Sequence, residues 1–216
     1  MSEVVKTQPG RRERKALATR HRVLDAAEAL FVRDGYAATT MTAIADAADV
    51  AVQTVYAVFG TKRSILAELL EVRTVGDDQQ AALRDRQDWQ AMEREADPRR
   101  QVALLAAIAT GIGTRIAALI EVMAAAAGSD PEIAAMYQQR QQARYDDQRA
   151  LAESLSRKGA LRPGLSLAHA TDIIWTLANP RNHHALVSER HWTTDEFEHW
   201  LAHQLAFALL ADQRAT

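Results

Sequence analysis

Apolar residues recur along this chain at spacings of three and four, the period of the α-helix. Val23, Ala27, Leu30 and Phe31 share one side of a helix that the pattern starts near Ala18 and that Asp34-Gly35 ends. Thr39-Thr40 offers an N-cap to a second helix, with Met41, Ile44, Ala45 and Ala48 at i, i+3, i+4 and i+7. Asp49 marks a tight turn. A third short helix then places Val52, Val55 and Phe59 on one side and Gln53, Thr54 and Ala57 on the other. Gly60 is a C-terminal stop, and Thr61 caps a fourth helix from Lys62 to about Arg73 through Ile65, Leu66, Leu69 and Leu70.

The same period continues without a convincing strand. Helices are expected near Asp85–Glu95 and from Pro98 to about Ala127, the latter with a bend at Gly111 or Gly113. Others run from Asp130-Pro131 to Gly159, from Ser166 to Ala178, and briefly after Pro180. Thr193-Thr194-Asp195-Glu196 supplies a capping box for the last helix, about 194–212. Residues 103–127 are apolar enough to raise a membrane span. Arg115 and Glu121 interrupt them, and Arg near a bilayer centre costs about 2.5–3.5 kcal/mol, so a buried bundle helix and no membrane are expected.

Composition sharpens this picture. Nine Gly and five Pro in 216 residues are about half the average usage, which favours helices. The absence of cysteine excludes disulfides and thiolate chemistry and fits a reducing compartment. The N-terminus has no apolar signal-peptide region, so a cytoplasmic protein is expected. Residues 1–63 carry ten Lys/Arg against seven Asp/Glu, net +3, while the remainder carries net −5. A basic module facing a polyanion, joined to an acidic body, fits that asymmetry.

The outward side of the third helix, Gln53, Thr54 and Ala57 with Tyr56 beside them, has no charge, where a surface helix usually shows Lys and Glu. Two short helices joined by a tight turn, the second with such a face, suit a helix-turn-helix in a major groove. Gln53 can pair with adenine N6/N7, and Thr54 and Tyr56 can donate to phosphates. Ala57 and Val52 can meet a thymine methyl, and Lys62 at the start of the fourth helix reads as a phosphate clamp.

Residues 39–66, TTMTAIADAADVAVQTVYAVFGTKRSIL, resemble the DNA-binding signature of the TetR family of bacterial transcriptional repressors. Thr40, Ile44-Ala45, Val50, Thr54-Val55-Tyr56, Phe59 and Lys62 carry the likeness, which reaches back to about residue 18. The family's usual turn glycine is Asp49 here, its usual serine cap is Ala51, and its usual histidine before the Phe is Val58. Ala51 forfeits a side-chain hydrogen bond worth about 1 kcal/mol. The resemblance implies an all-α fold: an N-terminal three-helix DNA-binding domain and a C-terminal helical domain that dimerises and binds a small effector. The expected divisions are a flexible basic arm 1–17, a helix-turn-helix domain 18–62 and an effector and dimerisation domain 63–216. The expected DNA contacts are Thr40, Thr42, Val52, Gln53, Thr54, Tyr56 and Lys62, on a near-palindromic operator bound by a homodimer.

The C-terminal part gives partial support of its own. The last helix has Phe197, Leu201, Leu205 and Ala208 on one face and Trp200, Phe207 and Leu210 elsewhere, so it can bury one side in its domain and one against a partner. The stripe Ile133, Tyr137, Arg140, Arg144, Asp147, Leu151 either faces inward, where it suits a polar or anionic ligand, or is solvated while Met136, Ala143 and Ala150 pack. Trp89, Met123 and Trp175, with Met92, are candidate apolar walls, so the effector candidates are Trp89, Met123, Tyr137, Arg140, Arg144 and Trp175. Glu196, His199 and His203 have metal-ligand spacing on one helix but form no known motif; no cofactor or metal is expected, and no catalysis. An all-helical enzyme would need that cluster as its site. A DNA-binding protein without an effector is the other rival.

Overall fold

The computed structural model describes residues 10–76 and 83–211. Among them the backbone is helical, with no strand beyond an antiparallel bridge between Leu161 and Leu210. Two compact units divide the chain, residues 1–69 and 70–216.

The first unit opens with α1, Arg11–Ala38. Residues 11–17, expected as part of a flexible arm, are instead its first turns; Arg, Lys, Glu, Ala and Leu there are good helix formers with no Gly or Pro among them. Residues 1–9 of that arm lie outside the described residues. Gly35, at φ 82° and ψ 164°, breaks the helical geometry before one last turn to Ala38. α2, Met41–Ala47, starts on Thr40, whose Oγ1 accepts the Ala43 amide at 3.0 Å. α3, Val52–Phe59, ends on left-handed Gly60, and α4, Lys62–Val75, follows Thr61, whose Oγ1 accepts the Ser64 amide at 3.0 Å. Phe31, Ile44, Val55, Ile65, Leu66 and Leu69 are buried, each stabilising the unit by roughly 1.5–3 kcal/mol. Arg20 of α1 pairs with both carboxylate oxygens of Glu68 in α4 and lies 5.0 Å over the ring of Phe59 in α3, so one side chain ties three helices.

The second unit contains α5 (Gln87–Arg94), α6 (Pro98–Ala127), α7 (Pro131–Arg157), α8 (Leu167–Leu177), α9 (Pro180–His183) and α10 (Thr194–Leu209). Local chemistry sets their starts. Asp97 caps α6, Asp130 caps α7, Ser166 caps α8, and Thr193 with Glu196 forms the reciprocal capping box of α10. α6 is long and apolar enough to cross a membrane, but it packs against α5, α7, α9 and α10 and buries Val102, Leu105, Leu119 and Met123. It runs through Gly111 and Gly113, where a bend was expected, as one continuous helix. Gly113 serves close approach: a Cβ there would lie 2.8–2.9 Å from the His183 side chain. α10 buries Phe197, Leu201, Leu205 and Leu209, with Leu209 taking the place expected of Ala208. Leu210, expected to point elsewhere, is buried too, while Phe207 is 69% exposed.

Candidate nucleic-acid interface and ligand cavity

α2 and α3 meet at a bend of 111°, within the roughly 90–120° of helix-turn-helix pairs. Asp49 makes the corner at φ 51°, the left-handed conformation that Asp adopts more readily than most non-glycine residues. The Val50 amide then reaches back to the Ala45 carbonyl at 3.1 Å. Ala51 caps α3 with no side-chain hydrogen bond. Val55 and Phe59 are buried, which turns the other side of α3 outward. Gln53, Tyr56, Ala57 and Val58 are exposed, Val52 and Thr54 half-buried, and no side chain from Val52 to Phe59 is charged. Thr40 and Thr42 of α2 are exposed beside them.

Lys62, expected as a phosphate clamp, is engaged by the backbone of α1 in this structure. Its ammonium donates to the carbonyl oxygens of Tyr36 at 2.6 Å, Thr39 at 2.7 Å and Ala37 at 3.4 Å. These three acceptors match its three hydrogens, so the charge caps the end of α1 instead of facing outward. The pattern could not show this, because the acceptors lie 23–26 residues away.

In the second unit a cavity of about 230 Å³ opens among α5, α6, α7 and the α8–α9 junction. Trp89 lines it with Ile108, Ile112 and Ile116, and α7 adds Arg140, Arg144 and Gln148. The polar stripe of α7 therefore faces inward, with Ile133 and Leu151 fully buried at its ends. Arg140 donates to the Leu70 carbonyl at 3.3 Å and the Thr74 hydroxyl at 3.0 Å. Arg144 donates to Gln141 Oε1 at 3.2 Å and to the Trp175 carbonyl at 2.8 Å, and stacks 4.6 Å over the Trp175 ring. Burial pulls the Arg144 guanidinium down to about 10 and lowers Arg140 in the same direction, yet both stay protonated at neutral pH.

Three of the expected effector residues thus meet at the cavity: Trp89, Arg140 and Arg144. Two others stand behind it. Trp175 orients Arg144, and the Tyr137 hydroxyl accepts the Gln141 amide at 2.8 Å. Met123 is fully buried in α6 and does not line the cavity. The α6 isoleucines were legible only as core, since an apolar wall and an apolar core have one composition. Missed as well were Arg115 and Arg86, which join Arg140 in covering the last carbonyls of α4: Arg115 reaches Arg73 at 2.8 Å and Thr74 at 3.1 Å, and Arg86 reaches Val75 at 2.8 Å. Glu196 is engaged by Thr193, and His199 Nδ1 lies 2.7 Å from the Asp195 carbonyl. Among the described residues no three His, Asp or Glu side chains are grouped to hold a metal ion.

Residues 23–69 match the family of bacterial regulatory proteins, tetR family. Solved structures share the fold over most of the chain. The SmeT–triclosan complex is 23% identical, covering 91% of this chain and 93% of that one at a TM-score of 0.69. NalD, the secondary repressor of the MexAB-OprM multidrug efflux pump in Pseudomonas aeruginosa, is 23% identical over 92% of this chain and 99% of that one, with a TM-score of 0.67. The transcriptional regulator FadR from Bacillus subtilis in complex with stearoyl-CoA is 16% identical over 87% and 98%, also at 0.67. Identities this low establish the shared fold alone. No curated protein sequence matches the chain.

Proposed function

We propose that this chain, whose residues 23–69 belong to the tetR family of bacterial regulatory proteins, is a cytoplasmic, ligand-responsive repressor that binds a near-palindromic operator as a homodimer. One observation carries the reading: the exposed side of α3, held at a bend of 111° to α2, is uncharged and rich in hydrogen-bonding groups. Gln53 and Tyr56 stand outermost and meet base edges and phosphate, with Thr40, Thr42, Val52 and Thr54 around them. The exposed Phe207 on α10, with α8, supports pairing with a second copy. Two such units present recognition helices about 34–36 Å apart, one turn of duplex.

The cavity supplies the effector site, and Arg140 supplies a route out of it. That guanidinium lines the cavity and holds Leu70 and Thr74 of α4, the helix that continues back to Lys62. A ligand that competes for Arg140 loosens the end of α4, and it lowers operator affinity by the ratio of its affinities for the two conformations. No nucleophile–base pair lines the cavity among the described residues, so the site reads as one for binding rather than catalysis.

A footprint of the full-length protein on the DNA flanking its own gene tests the reading. A protected, two-fold symmetric site of about two helical turns is expected. Failure to protect any duplex at low salt removes it.

A further inference from the structure

The cavity's chemistry is more specific than its apolar walls suggest. Arg140 and Arg144 sit one turn apart on α7, and neither makes an ion pair among the described residues. Their partners are neutral: two carbonyls, a hydroxyl and an amide oxygen. Nη2 of Arg144 is buried with no hydrogen-bond partner. Trp175 fixes that side chain from behind, by its ring and its carbonyl, so the guanidinium is preorganised. A buried cation without a counter-charge is unfavourable unless something supplies one.

Three further features narrow what supplies it. Asp147 also lines the cavity, but its carboxylate is engaged by Arg84 at 2.7 Å. It leaves Arg144 without a carboxylate partner among the described residues, while Glu71 acts on Arg140 without bonding it, and it disfavours a second negative charge nearby. Gln148, also in the lining, has a buried Oε1 with no partner, an acceptor waiting for an O–H or N–H. The volume of about 230 Å³ falls just below the roughly 300–1,000 Å³ of sites for drug-sized ligands, so the occupant is small.

We infer that the ligand is a small organic monocarboxylate: its carboxylate meets Arg144 and Arg140, its apolar body lies against Trp89 and the α6 isoleucines, and a hydroxyl or N–H of its body bonds Gln148. A carboxylate is the planar acceptor that suits guanidinium geometry. This rests on the reading of the cavity as the effector site.

The test uses the full-length protein and 3-(4-hydroxyphenyl)propanoate, its neutral amide, the corresponding amine and 4-hydroxyphenyl phosphate, titrated calorimetrically and by tryptophan fluorescence. The carboxylate binds at least about tenfold more tightly than the amide, as one charge-assisted hydrogen bond requires, and more tightly than the phosphate; the amine does not bind. Arg144→Gln narrows the gap between carboxylate and amide, with Arg140 holding what remains, and Arg144→Lys restores part of the preference. Equal binding of amide or amine, tighter binding of the phosphate, or no binding in the series overturns the inference. If Arg144→Gln does not fold, the wild-type series alone decides. Operator release is measured separately. Carboxylate binding that leaves operator affinity unchanged sinks the regulatory reading but not this one; release by a neutral or cationic compound, without carboxylate binding, does the reverse.

Discussion

The Lys62 ammonium lies 2.6 Å from the carbonyl oxygen of Tyr36 and 4.3 Å from the centre of that residue's ring, so one residue of α1 holds the first residue of α4 by both backbone and side chain. Its carbonyl partners close the end of α1 just before the corner that leads into α2. Lys62→Met keeps the stem and removes the charge. It is expected to destabilise the N-terminal unit by about 1–3 kcal/mol, the range for a charged hydrogen-bond donor lost from such a site. Urea unfolding reads this directly. Operator affinity falls with stability while its salt slope stays constant; a slope smaller by about 0.9 would return Lys62 to a phosphate contact.

Gln53 and Tyr56 separate specificity from affinity. Gln53 is exposed on the uncharged side of α3, and its amide offers an NH2 donor group and a carbonyl acceptor side by side. Gln53→Ala is expected to lose about 1–3 kcal/mol of discrimination at one base pair per half-site and to leave binding to random duplex unchanged. Tyr56, 53% exposed, carries a hydroxyl suited to a phosphate. Tyr56→Phe therefore weakens every duplex to a similar degree, with no change in salt slope, since no charge is removed. Competition binding against single-base operator variants distinguishes the two patterns, and a base preference altered by Tyr56→Phe would reverse the assignment.

Gly113 and His183 make a test in the second unit. Alanine normally suits a helix interior better than glycine, by about 1 kcal/mol. Here its Cβ would fall 2.8 Å from Cγ of a histidine that is only 4% exposed and edge-on to Phe197 at 5.0 Å. Gly113→Ala is therefore expected to destabilise, by roughly 1–3 kcal/mol, as overpacking does. Adding His183→Ala relieves the clash, so the double variant unfolds at higher denaturant than the sum of the single effects predicts. Additive single effects would show that the ring can move aside.

These cases also show where sequence reading stops. Thr40, Ser166 and the Thr193–Glu196 box were legible because a cap bonds within three residues of itself. The inner face of α3 was legible because Val55 and Phe59 obey the helical period. The carbonyl partners of Lys62 were not legible, because they are set by how α1 ends against α4, which no local pattern encodes. The stripe of α7 was readable as a stripe, but its direction was not. Only the packing of Ile133 and Leu151 turns Arg140 and Arg144 inward, against the usual preference of charge for solvent. The inward face of α10 slipped by one residue at its end, since Ala208 and Leu209 both fit an apolar period and the larger side chain is the one buried.

His183 also gives the fold a dependence on pH with a definite sign. Burial, and secondarily the neighbouring His184, hold its imidazole below the ordinary histidine value. Around it stand Gly113 and Thr114 of α6, with the Thr114 hydroxyl 3.3 Å from Nε2, and Phe197 of α10; Nδ1 is buried without a partner. In the unfolded chain the ring takes up a proton near pH 6.5, whereas the folded protein resists doing so until the pH is lower. The stabilisation is therefore complete above that value and declines as the pH falls below it, because the unfolded state binds the extra proton. Urea midpoints are expected to drop between pH 7 and pH 5, and His183→Gln, which stays neutral and keeps a polar group beside Thr114, is expected to flatten that drop. A wild-type midpoint that rises on acidification, or identical slopes in the two proteins, would show that His183 is not the group responsible.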